Sequence, residues 1–439
     1  MSKARLDEWL ADLERRTPPH QIELGLDRVG RVYDALFSED PWANTRIITI
    51  GGTNGKGSTV AFCEAIARAH GLSTLAYTSP HISRFNERVR INGTDASDAD
   101  WLHALNQVEA ARADVHLTYF EHVTLAALVI ANAHAPDLLL LEVGLGGRLD
   151  AVNVVDADVS VITSIGLDHM DYLGPTRSHI GREKLGIARA NRPLVLAETD
   201  WPGDLEEALL TSRAELWRVG LNGDWSIEDS AQIHPDKHWT LRFHSDPEDS
   251  MSLPRPKLVG PHQLKNAAAA IVAFRCAEGA THIKAEAVAE GLMRVKLAGR
   301  FEQVATAPAV FLDVAHNAQA AECLKEALLD VSAGDGALGA TIAVFGALAD
   351  KDVEAMVDAL DGVFDRWWLG DLSGPRGQSA EALAERLINQ GVKAPIEAVK
   401  SIPEALDLAL ANASINDRVV VFGSFHVLSE VQSRWPRRE

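Results

Sequence analysis

The chain has 439 residues, of which 46% are hydrophobic, and its 42 basic and 62 acidic residues give a net charge of -20. This length exceeds the size at which one hydrophobic core keeps growing, so we expect two or three domains. The acidic excess disfavours binding to nucleic acid or to anionic membranes, and an anionic substrate would need a local cationic pocket.

The cysteines and the apolar stretches indicate a cytoplasmic protein. Cys63, Cys276 and Cys323 are far apart and form no CxxC pattern, which is typical of buried thiols in a reducing compartment. Residues 1–10 lack the apolar core of a signal peptide, and the apolar stretch around Leu125–Leu141 is interrupted by polar residues and a proline. We therefore expect a soluble protein with no membrane and no nucleic-acid partner.

A glycine-rich turn follows the first apolar run of the chain. Residues 47–59 read Ile-Ile-Thr-Ile-Gly-Gly-Thr-Asn-Gly-Lys-Gly-Ser-Thr, the pattern of a strand that leads through a phosphate-binding loop into a helix. Lys56 would supply a mobile cation. The common motif has Ser or Thr directly after the lysine as a Mg²⁺ ligand, but here Gly57 separates Lys56 from Ser58. A metal ligand must be sought elsewhere.

Strand-like runs alternate with helical patterns along the rest of the first half. Each run precedes a turn that contains Gly or Ser, and the runs are Arg46–Ile50, Leu75–Tyr77, Leu138–Glu142 and Val159–Thr163. This alternation predicts a parallel sheet with flanking helices. From Asp200 to Pro256 the pattern changes to alternating residues and polar turns, which predicts an antiparallel excursion at the edge of that sheet.

The α/β pattern begins again after residue 299. The predicted strands are Ala309–Val314, Thr341–Phe345, Arg366–Leu369 and Arg418–Phe422, with helices such as Ala318–Leu329 and Ala380–Gln390 between them. We predict an α/β fold with a P-loop NTPase-like, mostly parallel sheet domain over residues 1–298 and a smaller Rossmann-like domain over residues 299–439. The active site is expected in the cleft between the two domains.

Polar residues at the predicted strand ends are the candidate metal ligands. Ser79, Glu142 and His169 each follow a different strand, and a hydroxyl, a carboxylate and an imidazole can hold Mg²⁺ when water and phosphate oxygens complete the shell. Each residue alone has an ordinary explanation as a turn residue, a surface carboxylate or a loop histidine. Glu142 directly follows four leucines, where an unpaired carboxylate is costly to bury, so the three together favour a metal site.

Three further residues are harder to interpret from the residues alone. Lys184 reads as a solvated helical lysine. Asp313 and His316 follow the first strand predicted for the second domain and would face the cleft, where Asp313 could hold a ribose hydroxyl.

Ordered motifs along nearly the whole chain resemble those of the bacterial folylpolyglutamate synthases, in their bifunctional form that is also a dihydrofolate synthase. The motifs are Gly52-Thr-Asn-Gly-Lys-Gly-Ser58, Ser79-Pro-His81, Leu117-Thr-Tyr-Phe-Glu121, Leu141-Glu-Val-Gly-Leu-Gly-Gly-Arg-Leu-Asp150, Gly166-Leu-Asp-His169, Glu183-Lys184, Gly299-Arg-Phe301, Asp313-Val-Ala-His-Asn317 and Gly423-Ser-Phe-His426. These enzymes are ATP-dependent amide ligases of the muramyl-ligase superfamily.

The resemblance implies a role for each matching residue. Ser79 and Glu142 would hold one Mg²⁺, Glu142 and His169 a second, and Lys184 would be carbamylated, against its solvated reading. The residues implied for ATP are Thr53, Asn54, Gly55, Lys56, Gly57, Ser58, Asn266, Arg300 and Asp313. Those implied for the pterin-bearing substrate are Leu24, Gly25, Leu26, Asp27, Thr118, Tyr119, Phe120, Glu121 and Leu149.

The implied reaction joins L-glutamate to dihydropteroate and to reduced folates. A substrate carboxylate attacks the γ-phosphate of ATP, and the amine of glutamate then attacks the acyl phosphate. Lys56, His169, Lys184 and His316 are the candidate catalytic residues, and His316 and Ser424 are the candidates for the glutamate side. We expect ATP, glutamate and folates as the only partners of a monomer.

The chain departs from the family pattern at two turns, and three other classes of protein remain as alternatives. Ala318 replaces a usual proline, and Asp150-Ala-Val-Asn153 has valine in place of threonine. A muramyl-peptide ligase would carry a further domain before the phosphate loop, and both it and a switch or motor NTPase would have Ser or Thr directly after the lysine. A non-catalytic folate-binding protein would not need Lys56, Ser79, Glu142 and His169.

Overall fold

The computed structural model describes residues 2–37, 40–229, 238–246, 248–332, 339–374 and 376–435. Within these ranges the chain forms three β-sheets of eight, three and six strands, flanked by fifteen α-helices. None of the helices in the described ranges has the length and apolar character needed to cross a membrane.

The eight-stranded sheet forms the centre of the first half. Its strands are β1 Arg46–Gly51, β2 Thr74–Tyr77, β3 Val89–Ile91, β4 Thr94–Asp95, β5 Leu138–Glu142, β6 Val159–Ile162, β7 Pro193–Leu196 and β8 Glu215–Arg218. The spatial order is β4-β3-β2-β5-β1-β6-β7-β8, in which only β3 runs antiparallel to its neighbours β2 and β4. The central strands are continuous apolar runs because helices cover both faces.

The helices of the first half divide between the two faces of this sheet. They are α1 Ser2–Arg16, α2 Asp27–Leu36, α3 Lys56–Ala69, α4 Asp98–Ala111, α5 Tyr119–His134, α6 Met170–Leu173, α7 Arg177–Leu185, α8 Glu206–Ser212, α9 Pro261–Glu278 and α10 Ala285–Arg294. The apolar sides of α3, α9 and α10 form one core cluster, and those of α1, α2, α4, α5 and α7 form another on the opposite face. The result is a three-layer α/β arrangement.

The antiparallel excursion predicted for Asp200–Pro256 is present and forms a sheet of its own. The antiparallel strands β9 Trp225–Asp229, β10 His238–Phe243 and β11 Ser250–Pro254 form a separate three-stranded sheet, while β8 extends the main sheet in parallel. Trp225, Trp239 and Phe243 pack beside α9, so the apolar face of this small sheet joins the core rather than the sheet edge. Positions 230–237 and 247 of this segment lie outside the described residues.

The six-stranded sheet forms the second half and confirms the predicted Rossmann-like arrangement. Its strands are β12 Glu302–Thr306, β13 Ala309–Leu312, β14 Thr341–Phe345, β15 Arg366–Gly370, β16 Ile396–Val399 and β17 Arg418–Phe422, in the order β12-β13-β17-β14-β15-β16. Only β12 is antiparallel. The helices are α11 Ala318–Ser332, α12 Val353–Ala359, α13 Ala380–Asn389, α14 Ile402–Asn412 and α15 Phe425–Val431.

Candidate active site

A cleft of about 590 Å³ lies between the eight-stranded and the six-stranded sheets. The loops after β1, β2, β5 and β6 form one wall, because these strands are neighbours in the sheet and their carboxyl ends share one edge. The loops after β13, β14 and β17 form the opposite wall, with residues such as Asp313, His316, Lys351 and Ser424. The cleft has the position that the sequence predicts for the active site.

The phosphate loop between β1 and α3 depends on two glycines. Gly52 has φ +152°, and a Cβ there would overlap the Thr163 hydroxyl. Gly55 has φ +85°, in the left-handed region, and a Cβ there would overlap Asn266 Oδ1. The loop therefore exposes its backbone N–H groups at the start of α3, where the helix dipole favours an anion.

Lys56 folds back over this loop. Its Nζ donates to the carbonyl oxygens of Gly52, at 3.0 Å, and Thr53, at 3.1 Å. Burial lowers the pKa of Lys56, and the nearby carboxylate of Glu142 opposes that shift. Thr53, Gly57 and Ser58 also line the cleft.

The three candidate metal ligands stand at the ends of neighbouring strands. Glu142 is only 5% exposed, and its Oε2 accepts a hydrogen bond of 3.0 Å from the backbone N–H of Ser79. Burial raises the pKa of Glu142, against the charge of Lys56. No group of three or more His, Cys, Asp or Glu side chains suited to a metal occurs among the described residues. A metal site at these strand ends would therefore combine the carboxylate of Glu142 with a hydroxyl and an imidazole.

His169 lines the same cleft as Glu142 and directly precedes α6, with φ +51°. Burial lowers the pKa of its imidazole to about 4, so the ring is neutral at pH 7 and has a lone pair free to bind a cation.

Lys184 is buried in the cleft wall rather than solvated, which overturns the reading from the residues alone. It is only 3% exposed, because it lies with Ile180 and Leu185 on the buried side of α7. Burial lowers the pKa of Lys184 to about 7, and Lys56 adds to the shift. A large share of this amine is therefore neutral and nucleophilic at pH 7.

Asp168 joins the two walls of the cleft, and sequence reasoning missed this role. It accepts hydrogen bonds from Lys351 Nζ, at 2.6 Å, and Asn317 Nδ2, at 3.2 Å, and its Oδ2 lies 3.4 Å from His316 Nε2. Burial alone would raise the pKa of Asp168, but the His316 hydrogen bond and the Lys351 charge hold it far below its usual range. The only signal in the sequence was its place beside His169.

A second contact between the walls involves the phosphate loop itself. Asn54 Nδ2 donates to Asn317 Oδ1, at 3.1 Å, and to Gln319 Oε1, at 2.7 Å, while Asn317 Nδ2 donates back to Asn54 Oδ1. The guanidinium of Arg300 reaches the loop from the second wall, with Nη2 3.5 Å from where a Cβ on Gly57 would lie. The nucleotide end is therefore built from both halves of the chain.

The candidates on the second wall all reach the cleft but have protein partners. Asp313 accepts backbone N–H bonds of 2.8 Å from Phe301 and Ala315. His316 Nδ1 lies 2.7 Å from the carbonyl oxygen of Val314. Ser424 accepts a bond from the Val427 N–H and thereby caps α15. Across the cleft, Asn266 of α9 donates to Gln263.

The segments expected to bind the pterin reach the cleft only in part. Leu24, Leu149 and residues 118–121 line it. Thr118 and Glu121 form the capping box of α5, and Glu121 also accepts a bond of 3.1 Å from Arg28.

The structure does not bring Gly25, Leu26 and Asp27 to the cleft wall. Asp27 is exposed and begins α2, which turns away because Val29 and Val32 are buried in the core.

Comparison with known proteins agrees with this geometry. The Mur ligase middle domain matches residues 50–274, and the Mur ligase glutamate ligase domain matches residues 299–425. The dihydrofolate synthase/folylpolyglutamate synthase of Escherichia coli is 39% identical over 97% of this chain and 94% of its own length. That of Bacillus subtilis is 34% identical over 94% of this chain and 95% of its own length.

Solved structures agree with the fold. E. coli FolC in complex with DHPP and ADP has a TM-score of 0.87 and 38% identity, covering 98% of this chain and 97% of that one. A bifunctional folylpolyglutamate synthase/dihydrofolate synthase with Mn, AMPPNP and L-glutamate bound has a TM-score of 0.85 and 38% identity over the same shares. The chain therefore belongs to the dihydrofolate synthase/folylpolyglutamate synthase group of the Mur ligase family.

Proposed function

We propose that the cleft joins L-glutamate to dihydropteroate and to reduced folates, with ATP cleaved to ADP and phosphate. The chain is an ATP-dependent ligase by its family. The observation that supports the reaction best is the meeting of the phosphate loop, Glu142 and Lys184 in a cleft completed by the second domain. Relatives whose structures contain ADP, AMPPNP, Mn, DHPP or L-glutamate support the same substrates.

ATP would bind with its phosphates on the loop of residues 53–58. Lys56, now held by two loop carbonyls, would turn to the phosphate oxygens. Asn266 and Arg300 flank this loop, and Asp313 would accept a ribose hydroxyl on the opposite wall.

Ser79, Glu142 and His169 fit a divalent metal ion. Glu142 is a buried carboxylate whose one protein hydrogen bond within the described ranges comes from Ser79 N–H, so a cation would offset its burial. The neutral imidazole of His169 and the hydroxyl of Ser79 are compatible donors. We propose two Mg²⁺ sites, with Ser79 and Glu142 at one and Glu142 and His169 at the other. The metal would neutralise charge on the phosphates.

Lys184 would act as a carbamate. A neutral amine attacks CO₂ and loses one proton, and the product is a carboxylate in place of a cation. Its burial and its pKa of about 7 support this chemistry. The carbamate would add a negative group to the cleft that holds Glu142 and would support the metal environment.

The reaction would proceed by two successive displacements. Leu24, Leu149 and residues 118–121 would hold the pterin-bearing acceptor, whose carboxylate attacks the γ-phosphate to give an acyl phosphate and ADP. The amine of L-glutamate, bound near His316 and Ser424, attacks the acyl carbon and releases phosphate. The protein mainly positions these anions and balances their charge with Lys56 and Arg300.

Three further proposals concern the domain bounds, the oligomeric state and the location of the protein. We propose domains of residues 1–298 and 299–439 and a monomer acting in the cytoplasm. Gel filtration at several protein concentrations tests the monomer. A muramyl-peptide ligase is disfavoured by the identity and coverage of the folate-ligase relatives.

The proposed function is tested by phosphate release from ATP with and without L-glutamate. Dihydropteroate and tetrahydrofolate serve as separate acceptors. We expect glutamate-dependent release with both acceptors. Phosphate release with tetrahydrofolate but not with dihydropteroate would show that the dihydrofolate synthase activity is absent. Phosphate release that does not need glutamate would favour a simple NTPase.

A further inference from the structure

Arg88 is a buried cation in the cleft wall that forms no ion pair with any of the residues that the structure describes. Arg88 is 7% exposed and lines the cleft. The two arginines that flank it in the sequence both form ion pairs: Arg84 lies 3.7 Å from Asp98, and Arg90 lies 2.8 Å from Glu64. Within the part of the chain that the structure describes, no carboxylate comes within 4.0 Å of the Arg88 guanidinium. Because an unpaired buried charge is costly, this cation indicates an anionic ligand.

The surroundings of Arg88 fix the plane of its guanidinium. Nε donates to His81 Nδ1 at 3.0 Å, and the carbon Cζ lies 5.6 Å from the ring centroid of Phe85 and 5.9 Å from that of Tyr119. The two terminal nitrogens have no acceptor among the described residues. They present a rigid pair of donors, which matches the two oxygens of a carboxylate.

The position of Arg88 indicates which carboxylate it would bind. Arg88 directly precedes β3, and its carbonyl accepts a bond of 2.8 Å from Thr78, one residue before Ser79. Its charge acts on Tyr77, His81 and Tyr119, on the acceptor side of the cleft. Arg88 is not among the charged groups that most affect the pKa of Lys56 or that of Lys184. Arg88 thus lies close to Ser79, a candidate metal ligand, and beside Tyr119, a candidate for holding the pterin-bearing acceptor.

A folate acceptor offers one carboxylate more than dihydropteroate. Its terminal glutamate has two, of which only one becomes the new amide, whereas the single carboxylate of dihydropteroate must reach the phosphate loop. We propose that Arg88 binds the carboxylate of the terminal glutamate that does not react. Arg88 then selects acceptors that already carry glutamate. This inference rests on the proposed function.

Steady-state kinetics of Arg88→Gln test this role, with Arg84→Gln as the matched control because Arg84 is exposed and paired with Asp98. We expect Arg88→Gln to raise KM for tetrahydrofolate by about 10- to 100-fold, the loss typical of a charged hydrogen-bonded pair. The rise for dihydropteroate should be smaller by at least about tenfold. An equal rise for both acceptors, or none, would overturn the inference. Inactivity of the unaltered enzyme with both acceptors would instead refute the proposed function.

A second measurement needs no variant and decides the matter if Arg88→Gln does not fold. Tetrahydropteroyl conjugates of 4-aminobutyrate and of 2-aminobutyrate each keep one of the two carboxylates. The conjugate that still reacts should have a KM raised by about 10- to 100-fold over tetrahydrofolate. If its KM equals that of tetrahydrofolate, no group binds the second carboxylate and the proposal is wrong.

Discussion

At the scale of single residues, Gly55 sets the shape of the phosphate loop. Its φ of +85° and the overlap of a Cβ with Asn266 predict that Gly55→Ala distorts the loop. We expect kcat/KM for ATP to fall by at least about tenfold, because an L-residue in this conformation costs about 1–2 kcal/mol before the overlap is added. Steady-state kinetics with ATP varied measure the effect.

Gly71→Ala is the matched control for this variant. Gly71 has φ +87°, but no atom lies within 4 Å of its would-be Cβ. It should lose stability and keep its ATP kinetics. Equal kinetics in both variants would show that the loop does not depend on the glycine.

Lys184 gives the second prediction at this scale. If its carbamate supports the metal environment, Lys184→Gln should lower kcat by about 10- to 100-fold, the range for groups that support a metal site. Wild-type protein in ¹³C-bicarbonate should give a carbamate signal by ¹³C NMR, and the variant should not. Arg182→Gln, on the exposed side of α7, is the control. A fully active wild-type preparation without that signal would contradict the carbamate.

At the scale of elements, the packing of α5 against α1 and α4 contains a buried histidine. His122 contacts Trp9 at 5.2 Å between ring centroids, and its Nε2 has no hydrogen-bond partner among the described residues, with Glu109 3.9 Å away. Burial lowers the pKa of His122 to about 4, against the charge of Glu109. The imidazole of His122 is therefore neutral in the folded protein at pH values well above 4.

This packing predicts a loss of stability in acid. Between pH 6.5 and about 4 the unfolded chain binds a proton at His122 that the folded protein does not, so the free energy of unfolding falls as pH falls through this window. The loss is roughly 2–3 kcal/mol by pH 4. Urea unfolding at pH 7 and pH 4 should show a smaller drop for His122→Gln, because other titrating groups are unchanged. An equal fall in the free energy of unfolding between pH 7 and pH 4 in both proteins would contradict the role of His122.

The sequence predicted elements well where local pattern decides them. The strands that end at Glu142 and before Ser79 and His169 were predicted from apolar runs, and their common edge follows from a parallel sheet. That β9–β11 form a sheet of their own was not predicted, because alternation identifies a strand but not its partner. The inward turn of Lys184 and the pairing of Asp168 with Lys351 depend on how helices and domains pack, which no local pattern contains.

At the scale of the whole molecule, the Asp168–Lys351 pair connects the two walls of the cleft. The pair is largely buried, with side chains 10% and 6% exposed, and removal of Lys351 takes the nearest cation from a buried carboxylate that keeps Asn317 and His316 as partners. We expect Lys351→Met to loosen the closed cleft, with kcat lowered by at least about tenfold and a larger radius of gyration by small-angle X-ray scattering.

Arg434→Met provides the control for that comparison. Its ion pair with Asp407 is exposed and lies within the second half of the chain, so kcat and radius of gyration should not change. If Lys351→Met behaves like this control, the buried pair has no part in closing the cleft.

The acyl phosphate is the central chemical claim, and oxygen transfer tests it directly. Dihydropteroate labelled with ¹⁸O in its carboxylate is incubated with enzyme, ATP and L-glutamate, and the released phosphate is analysed by mass spectrometry. The account predicts that each phosphate released with an amide carries one oxygen from the carboxylate. Unlabelled phosphate formed together with amide would show that the carboxylate never attacks ATP, and would contradict the mechanism.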